Sequence, residues 1–360
     1  MKTTLITCLC AVMLNATAIA DESQSSVKVS GDLRYRHEMI DEEGAQPRHR
    51  HRIRARVAVE GAVSPYTKVV VQMATGTEDP VSTNQTLSGS FSTKSLMLDL
   101  AYAEFKFAAV PKLSITGGKF KNPFIKPGKS ELLWDDDWNP EGGAFNYNRE
   151  IGRLTLTAVG AGLWIEERAD DDDSWLAAGQ IMLQHHSDHT NNSAFAGVGF
   201  FNYFNTAGFL PFFNPSRPMG NSVANRYVNE YELLQLFAGF THYIGNVPVL
   251  VFGDYVNNTA IDSLGYGWLT GTRIGEINNV GSWAVRYIYR DVKKDAVVGT
   301  FTDSDFRGGG TDGRGHEINA AVQVADKAAV KATLFSNTIN LSDRRLDYTR
   351  LQLDLQLKFK

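Results

Sequence analysis

Along most of this chain, apolar residues occupy every second position and polar or charged residues fill the gaps. Val27, Val29, Leu33 and Tyr35 alternate with Lys28, Ser30, Asp32, Arg34 and Arg36. Leu96, Leu98, Leu100 and Tyr102 alternate with Asp99, Ala101 and Ala103. At the end, Leu351, Leu353, Leu355, Leu357 and Phe359 alternate with Arg350, Gln352, Asp354, Gln356 and Lys358. A period of two places like residues on one side of a β-strand, whereas a helix would scatter them. The pattern predicts sixteen strands, starting near residues 27, 50, 68, 95, 112, 143, 153, 175, 194, 230, 247, 267, 282, 316, 330 and 349. Short connections hold turn residues: Ser64-Pro65, Val110-Pro111, Gly245-Asn246, Asn278-Asn279 and Asp326-Lys327. Long ones, over 39–49, 78–94, 121–142, 206–229 and 291–315, are polar and often acidic. Helical periodicity is almost absent, which argues against an α/β fold.

The stretch RHRHRIRARVAVEG (48–61) sharpens the reading. As a strand it sends Arg48, Arg50, Arg52, Arg54 and Arg56 one way and Ile53, Ala55, Val57 and Val59 the other. Such a basic face fits either a nucleic-acid patch or a wall in contact with water. The formal net charge of −4 argues against a general polyanion binder, and no nucleic-acid partner is expected. The N-terminus has the order of a secretory leader: Lys2, an apolar run from Leu5 to Leu14, and the small-residue site Ala18-Ile19-Ala20. Cleavage after Ala20 would leave a mature domain over 21–360. Both cysteines, Cys8 and Cys10, lie in the leader, so disulfide and thiol chemistry are not expected. After it, no apolar run approaches the ~20 residues of a membrane helix.

A sheet in a membrane must close, because lipid offers no partner to an unpaired backbone group. The polar faces carry Arg, Lys, Gln and Glu, too large and too charged for a dry interior. The expected fold is therefore all-β: a transmembrane antiparallel β-barrel of about sixteen strands, apolar toward lipid, with short periplasmic turns and long extracellular loops. A barrel of that size leaves an aqueous channel. Tyr35, Tyr102, Trp164, Trp175, Trp283 and Tyr289 are expected in an interfacial girdle. Closure sets the last strand beside the first. Arg350 and Lys358 then adjoin Lys28, Arg34, Arg36, Arg50, Arg52, Arg54 and Arg56 as a continuous basic, pore-lining wall.

The connection KNPFIKPGKSELLWDDDWNPEGG (121–143) mixes Lys121, Lys126 and Lys129 with Glu131, Asp135, Asp136, Asp137 and Glu141 around Phe124, Leu132, Leu133, Trp134 and Trp138. It can fold inward and narrow the pore, or cover the mouth as a surface loop. With GKFKNPF (118–124) after a strand and then WDDDWNPEGG (134–143), the chain resembles the putative-porin family of Gram-negative outer membranes. The resemblance covers most of the mature chain in strand pattern and is sharp over 95–147. It implies a sixteen-stranded barrel, a homotrimer, and the third long loop as constriction. Such barrels usually end on an aromatic residue. Here Phe359 is penultimate and Lys360 last, a departure from that pattern.

Other signals carry less. GGGTDG (308–313) lacks the strand-to-helix setting of a nucleotide site and reads as a flexible loop, and PGKS (127–130) lacks the earlier glycine of a P-loop. His185, His186 and His189 read as a polar turn rather than a metal site, and Asp170 to Asp173 as a solvated loop. His242 has no matching serine, so no catalytic residue is assigned, nor any cofactor or metal. The function expected is passive diffusion of small polar solutes and ions, with mild anion preference, in contact with outer-membrane lipid and lipopolysaccharide. A plugged or adhesive barrel without channel activity is the alternative.

Overall fold

The structure is a computed structural model and describes residues 27–187 and 190–360. The expected leader with its two cysteines, and His189, lie outside those residues. The strands are β1 (Val27–Glu42), β2 (Arg48–Ser64), β3 (Thr67–Thr75), a two-residue β4 (Gln85–Thr86), β5 (Leu96–Phe107), β6 (Val110–Lys119), β7 (Glu141–Ile151), β8 (Leu154–Glu166), β9 (Ser174–His186), β10 (Ser193–Phe204), β11 (Tyr231–Ile244), β12 (Val247–Asn258), β13 (Tyr266–Gly275), β14 (Trp283–Val292), β15 (Gly313–Ala325), β16 (Ala328–Ile339) and β17 (Leu346–Phe359). The sixteen long strands begin within three residues of the positions that alternation predicts. Each pairs antiparallel with its neighbours, and β17 returns to β1 from Gly31–Phe359 to Glu42–Tyr348, closing a sixteen-stranded barrel. Closure removes the free edges that lipid could not satisfy.

At one end five connections are two-residue turns; the other end carries loops L1 (43–47), L2 (76–95), L3 (120–140), L4 (167–173), L5 (205–230), L6 (259–265), L7 (293–312) and L8 (340–345). Two boundaries differ from expectation. The hairpin at 39–49 shrinks to L1, because both strands continue past the apolar pattern on paired polar residues, His37 opposite His51 and Glu38 opposite Arg50. Val110-Pro111 begins β6 instead of forming a turn, since Pro111 starts a strand without spending a needed N–H.

The two faces separate as alternation requires. Val29, Leu33 and Tyr35 are exposed outward, while Arg34, Arg36 and Glu38 on the same strand are buried inward. Trp164, Trp175 and Trp283 also point outward. Tyr102 does not join them. The pairing of β3 with β5 skips Asp99 between Leu98 and Leu100, and this bulge flips the remainder of β5. Leu96 and Leu98 face out, whereas Leu100 is buried and Tyr102 packs on the interior cluster.

The inner face is not polar throughout, contrary to the sequence-based expectation. Val159 and Leu163 on β8, Leu176 on β9, Phe201 and Tyr203 on β10, Leu233 on β11, Phe252 and Val256 on β12, Leu269 on β13 and Ile288 on β14 form one buried apolar cluster. The outer face of those strands meets lipid; the inner one, apolar apart from groups such as Gln180, Gln235, Asp254 and Arg290, supports the loops that enter the barrel.

Candidate pore constriction

The opposite inner wall is made of β17, β1 and β2. Antiparallel register sets Arg34 beside Arg54, Arg36 beside Arg52, and Glu38 beside Arg50. On the other flank Arg36 faces Asp354 and Glu38 faces Gln352. The expected basic wall is thus studded with acids. Asp32 accepts from Arg54 Nη2 at 3.0 Å and from Arg56 Nε at 2.8 Å. Asp354 takes Arg36 through two hydrogen bonds, 2.6 and 2.8 Å. Glu38, fully buried, accepts from both Arg50 and Arg350. Buried guanidiniums at this density need such partners, since unpaired charges away from water are costly. Lys28 and Lys358 share the inward parity but sit exposed at the short-turn rim, Lys28 reaching Glu60 at 3.6 Å.

L3 crosses from β6 and lies against the apolar wall. Phe124 stacks on Trp134, both meet Phe201 edge-on, and Trp134 Nε1 donates to Tyr203 Oη at 3.2 Å. Gly128, at φ +59°, brings the backbone onto β12, where a Cβ would lie 2.3 Å from the Phe252 ring. This is the structural use of PGKS. Burying three large aromatics contributes several kcal/mol toward the cost of ordering the loop.

The charges of L3 do not act as one group. Asp137 meets the arginines, at 3.3 Å from Arg54 and 3.6 Å from Arg56. Burial pushes its carboxyl up, but Arg54, Arg34 and Arg56 outweigh burial and hold it below the ordinary range. Asp136 pairs with Lys126 and is largely exposed. Glu141 is the first residue of β7, bonded to Lys119 away from the arginines. Lys121 and Lys129 line the cavity on the turn side. Glu131 and Asp135 turn toward L7. Of the L3 acids, Asp137 makes the direct ion pairs with the arginine wall, while Glu131, Asp135 and Asp136 line the turn-side cavity beside it.

L7, expected as a polar surface connection, also enters the barrel. Ala296, Val297, Val298 and Phe301 join the apolar cluster. Asp135 N donates to Phe301 O at 2.8 Å, and Ser304 N donates back to Asp135 Oδ2 at 2.8 Å. Asp303 pairs with Arg290 at 3.0 Å; Asp305 bridges Arg350 at 2.6 Å and Arg36 at 3.2 Å. Burial would raise Asp305, but Arg350 and Arg36 overcome it and depress its carboxyl. Glu131, Asp135 and Asp303 bring ligand oxygens within 4.8 Å of one another. Burial raises all three from their ordinary values, helped by repulsion from neighbouring carboxylates: Asp135 and Asp303 on Glu131, Asp137 and Asp303 on Asp135, Asp305 and Glu317 on Asp303. The GGGTDG segment is not a flexible loop: Thr311 is fully buried, and a Cβ on Gly310 would lie 2.1 Å from Met219 O in L5. His185 and His186 are exposed and belong to no ligand-like cluster among the described residues.

Two cavities flank this belt. The one on the loop side, about 450 Å³, is lined by Arg48, Arg50, Arg52 and Arg350; the one on the turn side, about 550 Å³, by Arg34, Arg36, Arg54 and Arg56. Ser304 borders both. The acids Asp32, Glu38 and Asp354 were legible from inward parity alone. Asp303, Asp305 and the L2 residues Ser82 and Asn84 were not, because loop paths leave no periodic trace.

No match was found among curated proteins. Solved barrels share the fold at low identity. OmpF of Salmonella typhi, solved in complex with daunomycin, has a TM-score of 0.56 and 10% identity over 93% of this chain and 98% of that one. Pseudomonas putida OprB, in a high-pH structure, has a TM-score of 0.61 and 9% identity over 92% and 94%. Vibrio cholerae OmpT lacking its loop L8 has a TM-score of 0.51 and 12% identity over 94% and 100%. The family model described as putative porin matches residues 10–212 and 246–359. A closed sixteen-stranded barrel with charged cavities on either side of an inward loop belt, matched over most of its length by that model, is a member of the putative-porin family, a channel for passive diffusion across the outer membrane.

Proposed function

We propose that the channel favours small anionic and neutral polar solutes, and that the arginine wall sets this preference. The observation that carries the reading is the ladder itself: inward guanidiniums on β1, β2 and β17 run from one cavity past the loop belt into the other. The loop-side cavity holds five guanidiniums against Glu42 and Asp79. The turn-side cavity holds nine basic and eight acidic side chains. An anion meets net positive potential on entry and near-neutrality beyond, which concentrates it without trapping it. Lys28 and Lys358 extend the basic lining to the far rim, and Lys121, Lys126, Lys129, Glu131, Asp135, Asp136, Asp137 and Glu141 shape the constriction loop.

The export route through a cleaved leader over 1–20 and assembly of 21–360 as a homotrimer complete the reading; both rest on sequence pattern and family resemblance. The outward aromatics Tyr35, Trp164, Trp175 and Trp283 fit contact with lipid and lipopolysaccharide at the membrane boundary. A second reading, a plugged barrel, is favoured by one observation: L3, L5 and L7 all contribute buried residues to the lumen. Liposome swelling separates the two. Swelling in a small sugar, faster still in a monovalent organic anion, is the expected result. No swelling by correctly folded protein would establish the plug.

A further inference from the structure

The arginines of the wall are not equivalent. Arg36, Arg50, Arg54, Arg56 and Arg350 each contact at least one carboxylate within 3.3 Å. Arg34 contacts none among the described residues: its one hydrogen bond runs from Nη2 to Asn84 Oδ1, 2.5 Å, and its Nε is buried without a partner. Arg52 reaches a carboxylate only at 4.0 Å, on Glu38, which two other arginines already hold. It otherwise donates to Ser82 Oγ at 3.3 Å and Asn84 O at 3.5 Å, and its Nε is also an orphan. Arg34 is 8% exposed. Two nearly buried positive charges, hydrogen-bonded only to amide and hydroxyl oxygens, face the same short segment of L2.

That segment is held in place from both sides. β3 stops at Thr75, leaving the loop-side half of β2 without its neighbour, and β4 fills the gap by pairing Thr86 with Arg52 and Gln85 with Ile53. This drops Ser82 and Asn84 over the ladder. Arg34 and Asn84 line the turn-side cavity; Arg52 and Ser82 line the loop-side one.

We propose that Arg34 and Arg52, with Asn84 between them, form a binding station for a small oxyanion, a carboxylate or phosphate, passing between the cavities. The Asn84 side-chain oxygen occupies the place of one oxygen of the solute. The solute displaces that amide and takes the Arg34 fork through two charge-assisted hydrogen bonds, a geometry that a halide cannot match. The five acid-bound arginines cannot serve this way without first losing an ion pair. The station rests on the reading of an open, anion-favouring channel, so binding and conduction are tested separately.

Calorimetric titration of the refolded full-length protein in detergent uses sodium phosphate and sodium acetate as probes, and KCl currents in a planar bilayer are recorded as each is added. Saturable binding of at least one probe and a matching block of current are expected. Asn84→Asp ties a carboxylate to the station and should weaken binding by at least ~tenfold, as should Arg34→Gln, about the effect of one lost hydrogen bond to a charged group. Asn84→Ala removes the competing amide and should tighten binding. Arg34→Lys keeps the charge but not the fork; it should still bind, more weakly than wild type, and it guards against a folding defect in the Gln variant. Phosphate alone, acetate alone or both binding sustains the station and identifies the class. Absence of binding by the wild type, or unchanged affinity in both Asn84→Asp and Arg34→Gln, overturns it. Currents without binding would refute the station while the channel stands; binding without currents would refute the channel while the station stands.

Discussion

The two inner walls of this barrel are built on opposite physics. The β17–β1–β2 wall is a lattice of guanidiniums and carboxylates, with Glu38 shared by Arg50 and Arg350 and Asp354 clasped by Arg36. The β8–β14 wall is largely apolar, with Phe201 under Phe124 and Trp134 of L3, Leu176 and Phe252 in the same buried cluster, and a few inward polar groups such as Gln235, Asp254 and Arg290. The first keeps water and ions along one side of the lumen. The second removes water and gives L3 and L7 somewhere to bind. The constriction draws on both: the apolar wall anchors the loops, and the ionic wall lines the space they leave; on the proposed reading, that lining sets selectivity.

The comparison breaks most readily at the apolar wall. Trp134→Ala removes a buried ring and its contacts with Phe124, Trp138 and Phe201, at an expected cost of about 4 kcal/mol. Equilibrium unfolding in detergent should show the loss, and single-channel conductance should rise as L3 detaches. On the ionic wall, Glu38→Gln strips two buried arginines of their shared charge. It should cost about 3 kcal/mol and push the reversal potential further toward anions. Replacing Arg52, Arg54 and Arg56 together with Ser should move that potential toward cations; an unchanged value would remove the ladder from selectivity.

Smaller effects test the seam where the walls meet through L3 and L7. Burial and neighbouring carboxylates push Glu131, Asp135 and Asp303 up from their ordinary values, so the folded seam favours their protonated forms. Their contribution to stability is fully present at pH below the ordinary carboxylate range and is lost as pH rises through the raised values. Asp137 and Asp305 behave oppositely: their contribution is present above the ordinary range and lost as pH falls through the depressed values. Protease cleavage of L7 should therefore quicken as pH rises past the carboxylate range, and Glu131→Gln should flatten the rise. Smallest of all, Lys28→Ala at the exposed rim should leave unfolding unchanged and shift the reversal potential only at low salt, where screening is weak.

The barrel itself was legible because period two survives in sixteen segments, whatever each strand packs against. The arginine face of β2 was legible for the same reason. The pairing of that face with Asp32, Glu38 and Asp354 follows from parity, once opposite charges on one face are read together. Four things left no such trace. The β5 bulge at Asp99 inverts the faces of Leu100 and Tyr102, and a run of alternating residues looks the same with or without it. The largely apolar lumen side of β8 to β14 is masked because its hydrophobic residues blur the contrast with the lipid face. The entry of L7 depends on Ala296 to Phe301 finding that surface, a tertiary event with no local pattern. Asn84 reaches Arg34 only because β3 is short.

The most direct test of the account is the reversal potential of the refolded wild-type protein in a planar bilayer across a KCl gradient. Steady conductance steps with a reversal potential on the anion side are predicted. A reversal potential on the cation side would hand selectivity to Asp137 and its acidic neighbours, and absence of any step from a folded barrel would contradict an open channel altogether.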